Sequence, residues 1–453
     1  MNPTLSQAAE SMQGTLHGAD CSFDGVSTDT RSLKSGELFF ALSGPNFDGG
    51  EFVSQASEQG AAGAVVRSLV KDDVAQITVD DTRLALGRLG ASWRERHATT
   101  VVGVTGSNGK TTIKDMIAAR LSQVAPTLAT AGNLNNDIGM PLMLLRIDSS
   151  HRYTVLEMGA NHAGEIGYLT TLARPDVVVI SNAGIAHLEG FGSITGIAHG
   201  KGEILQGDAR PQCAILNAED GFYQYWLSLV EDIETLSFGL GEGADVHAKH
   251  IVAKKNTTSF RLHLPDAVVA LTLPLAGIHN VRNACAAAAV ATALGVSSEQ
   301  IRNALQSIEP VAGRLQPVEG LNGATLYDDS YNANPDSVQA AGDFLATLSG
   351  ENWLVLGDMF ELGETADEMH YDTGKALVDS RIERLFAVGD LSRHTVRGFG
   401  NGGEWFASID DLIASVMTDI SANVNVLVKG SRGMRMERVV GAIRASEAMR
   451  KKA

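Results

Sequence analysis

The chain has 453 residues, about three times a typical domain of roughly 150, so three cores are expected and a small disulfide-stapled module is excluded. Hydrophobic residues make up 44% and charged residues 20%, enough apolar surface to exclude extensive disorder. A formal net charge of −17 repels polyanions and the anionic face of a membrane, so neither a nucleic acid partner nor membrane insertion is expected.

The first 80 or so residues carry short strand candidates, Glu37 to Leu42, Ala64 to Val66 and Gln76 to Asp80, with helix-period segments between them. That is a small α/β unit. Met1 to Glu10 lacks a basic stretch followed by an apolar one, and the longest apolar run, Ala284 to Val296, is alanine-rich and too short for a bilayer. Cys21, Cys213 and Cys285 stand too far apart for a disulfide framework or paired metal ligands. A reducing, cytoplasmic location is expected.

A helical stretch, Leu84 to His97, leads into the β-branched run Thr100 to Val104, where a second unit begins. Directly after it comes TGSNGKTT, Thr105 to Thr112, ahead of a stretch expected to be an amphipathic helix from about Ile113. Gly106 and Gly109 let backbone N–H groups turn inward on phosphate oxygens, Lys110 supplies a point charge, and the Thr111 hydroxyl can reach Mg²⁺. The literal P-loop pattern fails, because Val104 stands where its first glycine belongs. Tyr153 to Glu157 and Val177 to Ile180 are continuous apolar runs, as in strands of a parallel sheet covered on both faces. Ligands of such sheets gather beyond the carboxyl ends of strands, which brings Glu157 and, just past Ile180, His187 to the rim of the phosphate loop. A strand-end cap for Glu157 and a local hydrogen bond for His187 are the plainer alternatives. Lys201, expected to open a helix, is either a solvated lysine or a member of the same site. Asn280 and Asn283 precede an alanine-rich helix, where Asn280 reads first as an N-cap.

At Pro310 and Gly313 the pattern breaks, and a third series follows: Thr325 to Asp328, Trp353 to Leu356, Leu385 to Val388 and Val424 to Val428. The expected domains are therefore 1–83, 84–310 and 311–453, all α/β, with a central parallel-sheet P-loop domain and a C-terminal Rossmann-like one. Asp328, Asp329, Asn332 and Asn334 lie in YDDSYNANPDS, and Asp358 follows the next strand. Turn chemistry explains several of these. A second set of polar strand ends after a nucleotide-binding unit also makes two facing rims, hence a cleft.

Taken together, TGSNGKTT, GNLNNDIGMPL, LEMGAN, SNAGIAHLEGFGS, AHGKGEI, GIHNVRNA, AGRLQPV, DDSYNANPDS and LVKGSRGMRMERVV resemble the Mur ligases, ATP-dependent amide-forming enzymes of peptidoglycan precursor synthesis. Within the family, FDGGEF, the NLNND loop, YNANPDS and GDMFELG are most similar to the member that adds D-alanyl-D-alanine to UDP-N-acetylmuramoyl-tripeptide. The resemblance implies that Gly106, Ser107, Asn108, Gly109, Lys110, Thr111 and Thr112 hold the phosphates of ATP. It also implies that Thr111 and Glu157 bind one Mg²⁺ with His187 on a second, and that Lys201 is carbamylated beside them. Asn280, Arg314, Asp328 and Asp329 match positions near the adenosine. Asn332, Asn334, Lys429 and Arg432 match the dock of the incoming dipeptide. Ser27, Thr28, Asp29, Arg31 and Phe47, in the loop 44–52, match the UDP-sugar segments, and Asn133, Asn135 and Asn136 the substrate loop beside them. A monomer acting through an acyl phosphate is implied. The alternatives are a third-residue-adding sibling or a folylpolyglutamate-synthase-like ligase; outside the class stands a P-loop switch, which needs no second polar rim.

Overall fold

The computed structural model of the protein describes residues 3–44, 47–207 and 209–445. Of the loop 44–52, residues 45 and 46 lie outside the described residues, as do the last eight residues of the expected third domain. Three α/β units follow one another. In the first, a five-stranded sheet runs in the spatial order Thr15–His17, Gln76–Thr78, Gly63–Val66, Glu37–Phe40, Gly25–Ser27. It is parallel except where Thr15–His17 pairs with Gln76–Thr78. Leu38, Phe40, Val65 and Ile77 pack against Leu5 and Met12 from one helix and Leu86 and Leu89 from another. That second helix, Thr82–Glu95, is capped by Asp81, whose Oδ1 accepts from Arg83 N at 2.8 Å and Leu84 N at 3.0 Å. It packs on helix Leu5–Met12 and also on helices Gly139–Leu144 and Glu165–Ala173, joining the first unit to the second.

The second unit is built on nine strands in the order Val268–Leu273, Thr258–His263, Val246–Ala253, Glu234–Gly239, Cys213–Asn217, Val177–Ile180, Thr100–Thr105, Tyr153–Glu157, Thr127–Ala129. The expected parallel sheet holds from Thr127–Ala129 to Val246–Ala253, but the last two strands are antiparallel. Short turns join these edge strands, and only antiparallel neighbours can be joined so tightly. Alternate residues of the central strands feed two cores: Val102, Val104 and Val179 on one face, Val101, Leu156, Val178 and Ile180 on the other. Both faces being covered is why these strands read as unbroken apolar runs.

Three local expectations are corrected. The helix after the glycine loop spans Lys110–Ser122, beginning before Ile113, and it buries Lys114 and Arg120 together with Ile113, Met116, Ile117 and Leu121. It lies between the sheet and helix Ile278–Ala293, so no side of it is a simple solvated face. Asn280 is inside the first turn of helix Ile278–Ala293, which starts after Gly277; its Nδ2 donates to Ala276 O at 2.7 Å, so it is not the N-cap. Lys201 lies in the last turn of helix Ile194–Gly202 instead of opening a helix, and it is buried.

The third unit has six strands in the order Gln316–Glu319, Thr325–Asp329, Val424–Lys429, Glu351–Gly357, Arg384–Val388, Gly403–Phe406, parallel except for the first pair. Among the described residues no helix is long and apolar enough to cross a membrane.

Candidate functional site

Strand Thr100–Thr105 is flanked by Tyr153–Glu157 and Val177–Ile180, and the chain leaves it first to one side and later to the other. This is the switch point at which α/β sheets bind ligands. Gly106 and Gly109 turn the chain there with φ of 142° and 83°. A Cβ at Gly106 would sit 1.9 Å from Ser181 Oγ, and one at Gly109 2.6 Å from Asn283 Oδ1, so glycine is required twice. Neighbouring loops fix the turn. Asn108 N donates to Asn182 Oδ1 at 2.9 Å, Ser181 Oγ donates to Asn108 O at 2.6 Å, and Ser107 Oγ donates to Gly184 O at 2.8 Å. Lys110 Nζ donates to Gly106 O at 2.7 Å and Ser107 O at 3.1 Å. Helix Lys110–Ser122 begins at this point, adding unpaired N–H groups and the positive end of its dipole.

Glu157 closes the other wall. It is 4% exposed; Thr111 Oγ1 donates to its Oε2 at 2.8 Å and Asn135 Nδ2 to its Oε1 at 2.7 Å. Arg314 Nη2 reaches Thr111 Oγ1 at 3.4 Å from the third unit. A cavity of about 330 Å³ contains this group. Ser107 to Thr111, Asn133, Asn135, Asn136, Glu157 and His187 line it from the second unit, and Arg314, Asn332, Asn334, Lys429 and Arg432 from the third. Among the described residues no three or more His, Cys, Asp or Glu cluster to hold a metal. One carboxylate beside one hydroxyl is nonetheless the donor set that suits a Mg²⁺ completed by phosphate oxygens and water.

A second cavity, also about 330 Å³, lies on the far side of the loop. Asn108, Gly109, Thr111, Thr112, Asn280, Asn283, Arg314, Asp329 and Lys429 line it. Asp329 Oδ1 accepts from Leu315 N at 3.0 Å and its Oδ2 from Lys429 Nζ at 2.7 Å, so Lys429 is already committed to a carboxylate. Asp328 does not line the cavity; its Oδ1 accepts from Ser330 N at 3.1 Å and Ser330 Oγ at 2.6 Å, holding the turn.

Lys201 lines none of these cavities but lies near enough to Lys110 to feel its charge. Its Nζ is buried without a hydrogen-bond partner, 5.3 Å from the centre of the Phe191 ring. Burial first, and the Lys110 ammonium second, push its pKa from 10.5 down to about 7. Burial also lowers Lys110, opposed by the Glu157 carboxylate.

The second and third units meet around this site. Asn334 Nδ2 donates to Asn108 Oδ1 at 2.9 Å, and Ile185 N to Asp336 Oδ2 at 2.7 Å. His187 Nδ1 lies 2.5 Å from Glu361 Oε2, an ion-pair approach off the hydrogen-bond angle, while Glu189 N donates to Glu361 O at 3.2 Å. His187 holds the Glu361 carboxyl below its usual range against partial burial. Both residues are left-handed, with φ of 57° and 65°, a concentration of strain typical of working sites. The first-unit residues Ser27, Thr28, Asp29, Arg31 and Phe47 line none of these cavities. Ser27 Oγ donates to Asp29 O at 3.0 Å, Asp29 and Arg31 form an exposed 2.6 Å pair, and Phe47 is exposed.

Sequence reading passed over Asn182, Asp220, Asp336, Tyr331 and Glu361. Asn182 and Asp220 lie just past the ends of strands Val177–Ile180 and Cys213–Asn217, as Glu157 lies at the end of its own, and could have been found on that ground. Asp336 is in the first turn of a helix, and Glu361 in a loop whose partner is 174 positions away, given by 361 − 187.

Family models match in the order of the three units. The Mur ligase family catalytic domain matches residues 22–94, the Mur ligase middle domain 104–291, and the Mur ligase glutamate ligase domain 313–432. The UDP-N-acetylmuramoyl-tripeptide–D-alanyl-D-alanine ligase of Escherichia coli strain K12 is 42% identical, over 97% of this chain and 98% of that protein. The crystal structure of MurF from Acinetobacter baumannii superposes with a TM-score of 0.92 at 38% identity, over 97% of this chain and 98% of that one. MurF ligase from Thermotoga maritima, solved in complex with ADP, gives 0.83 at 28% identity, over 95% and 98%. This chain belongs to the Mur ligase family.

Proposed function

We infer that this chain is an ATP-dependent amide ligase that joins D-alanyl-D-alanine to UDP-N-acetylmuramoyl-tripeptide, giving the pentapeptide precursor of peptidoglycan. The observation that carries the reading is 42% identity, over nearly the full length of both chains, to a ligase named for that reaction. The third-residue-adding and folylpolyglutamate-type alternatives are not favoured by that likeness.

Carboxylate and ammonium do not condense unaided in water, because both lose hydration and oxide is a poor leaving group. In the reading adopted here, an oxygen of the tripeptide's terminal carboxylate attacks the γ-phosphorus of ATP, the bond to ADP breaks, and an acyl phosphate forms. The dipeptide amine then attacks the acyl carbon and phosphate departs with its oxygen. The N–H groups of Gly106 to Thr112 would cradle the phosphates, and Lys110 would exchange its two loop carbonyls for their terminal oxygens. Thr111 and Glu157 would hold one Mg²⁺ and His187 a second, and such ions supply charge neutralisation on the transferring group. Lys201, carried as a carbamate, would present an anion to those cations where an ammonium would be repelled.

Asn280, Arg314 and Asp329 would line the adenosine end, and Asn332, Asn334 and Arg432 the dipeptide end; Asp328 and Lys429 would support them through the turn and the ion pair. Asn133, Asn135 and Asn136, with Ser27, Thr28, Asp29, Arg31 and Phe47, would hold the sugar nucleotide once the first unit closes on the second. The units would act as domains 1–83, 84–310 and 311–453 of a cytoplasmic monomer. Phosphate release should require ATP, Mg²⁺, UDP-muramoyl tripeptide and D-alanyl-D-alanine together. Equal release without the dipeptide, or equal rates with a single amino acid in its place, would remove this reading.

A further inference from the structure

A third cavity, of about 160 Å³, opens from the phosphate cavity and shares with it Ala186, His187, Asn332, Ala333, Asn334 and Arg432. Its remaining wall comes from Phe360, Glu361, Ser431 and Gly433. It carries one charge of each sign beside His187. Glu361 approaches His187 with Oε2 at 2.5 Å, and its side chain is half exposed. Arg432 is 65% exposed, with a guanidinium that meets Glu437 only at 3.4 Å. Ala186 and Ala333 add small apolar wall, Asn332, Asn334 and Ser431 add polar groups, and Phe360 is exposed although it is a large aromatic.

A small cavity that holds one carboxylate, one guanidinium and small apolar side chains matches a zwitterionic dipeptide with methyl side chains. We propose that Glu361 is a specificity-determining residue that binds the ammonium of the incoming D-alanyl-D-alanine, with Arg432 on its carboxylate and Phe360, Ala186 and Ala333 against its methyls. The inference rests on the ligase reading above. The cavity meets the phosphate cavity both at His187, which Glu361 approaches, and at Arg432, so a dipeptide held between the two charges lies beside the group its amine must attack. The same slot disfavours a peptide whose amine is blocked, since the half-exposed Glu361 carboxylate facing a neutral amide loses a charge-assisted hydrogen bond.

Full-length enzyme with saturating ATP, Mg²⁺ and sugar tripeptide provides the test, with D-alanyl-D-alanine varied. Glu361→Gln keeps the shape and removes the charge; it should raise the KM for the dipeptide by roughly ten- to a hundredfold, the loss of one hydrogen bond to a charged group. The KM values for ATP and tripeptide should stay within about twofold, which also reports that the variant is folded. Arg432→Gln should show the same split. N-acetyl-D-alanyl-D-alanine should inhibit the parent at least about tenfold more weakly than the free dipeptide binds, and Glu361→Gln should narrow that gap. An unchanged dipeptide KM in Glu361→Gln overturns the proposal, and so does a fall in kcat with all three KM values unchanged, which would mean that Glu361 acts only through His187. A parent enzyme that never uses the dipeptide would instead remove the function itself.

Discussion

Replacing Lys201 by Met removes an amine that the fold holds where a cation is disfavoured. Its pKa falls from 10.5 to about 7, chiefly through burial and then through Lys110. At about 1.4 kcal/mol per tenfold change, the protonated form costs the folded state roughly 5 kcal/mol. The folded pKa lies below the unfolded one, so the unfolded chain binds more protons between about 7 and 10.5 and stability rises with pH across that window. The penalty is fully present below pH 7 and absent above 10.5. In CO₂-free buffer, Lys201→Met should therefore be more stable than the parent by about 4 kcal/mol at pH 7, and by only about 2 kcal/mol at pH 9. Urea unfolding read by tryptophan fluorescence is a suitable assay, because Trp226 is buried and its Nε1 donates to Ala198 O at 3.0 Å, on the helix that carries Lys201. The same depression leaves about half the amine neutral at pH 7, against roughly one in three thousand for an ordinary lysine, and only the neutral amine adds to CO₂. Turnover should therefore drop when CO₂ is removed, and Lys201→Ala should be inactive but partly rescued by short-chain carboxylates. A stability difference that does not change from pH 6.5 to 9 would refute the burial argument, and turnover unaffected by Lys201→Ala would take the residue out of the site.

Other expectations follow from the same geometry. Lys110→Ala should lower phosphate release at least about a thousandfold, as loss of a charge aimed at a transferring group does, while calorimetry should find sugar-nucleotide affinity unchanged if the first unit holds it independently. Gly106→Ala forces a Cβ to within 1.9 Å of Ser181 Oγ at a φ of 142°; it should cost more than about 1 kcal/mol of stability and weaken ATP binding, both measurable by thermal unfolding with and without nucleotide. Burial pushes the Cys213 thiol up to about 11 and raises Cys285 further, whereas Cys21 is exposed. A thiol reagent should modify Cys21 alone in the native protein at pH 8, and mass spectrometry of the labelled peptides decides it.

The central strands were legible because two covered faces leave an unbroken apolar run, and their β-branched content and short length separate them from a buried helix segment. The antiparallel edge was not: Thr258–His263 alternates, with Thr258, Phe260 and Leu262 buried and Ser259, Arg261 and His263 not, so it lacks the continuous apolar run that marks the central strands. Residues adjacent to the glycine loop in sequence were legible with it: Lys110 and Thr111 follow from the turn, and Glu157 from its strand end. Asp328 and Asp329 show the limit. Successive residues of a strand point to opposite faces, so of two neighbouring carboxylates only one meets the cavity, and sequence does not fix which. Lys201 shows another. Its spacing places a lysine on a helix, but the removal of water from it depends on Phe191 and on the packing of helix Ile194–Gly202.

Glu361 is the harder case, and it indicates what the third unit contributes. Residues 181–189, beyond the strand Val177–Ile180, hold the phosphate loop through Ser181 and Asn182 and meet the third unit through Ile185, His187 and Glu189. One short segment thus touches the phosphate loop on one side and the proposed dipeptide slot on the other. A shift of the third unit that separates Glu361 from His187 would also pull Asn334 from Asn108 and Arg314 from Thr111, because all three pairs span the same junction. On the proposed function, the two half-reactions would therefore share one closure. In the proposed reading Arg314 beside Thr111 would complete the nucleotide site and the slot would hold the dipeptide, so a water-sensitive acyl phosphate would be protected while both contacts hold.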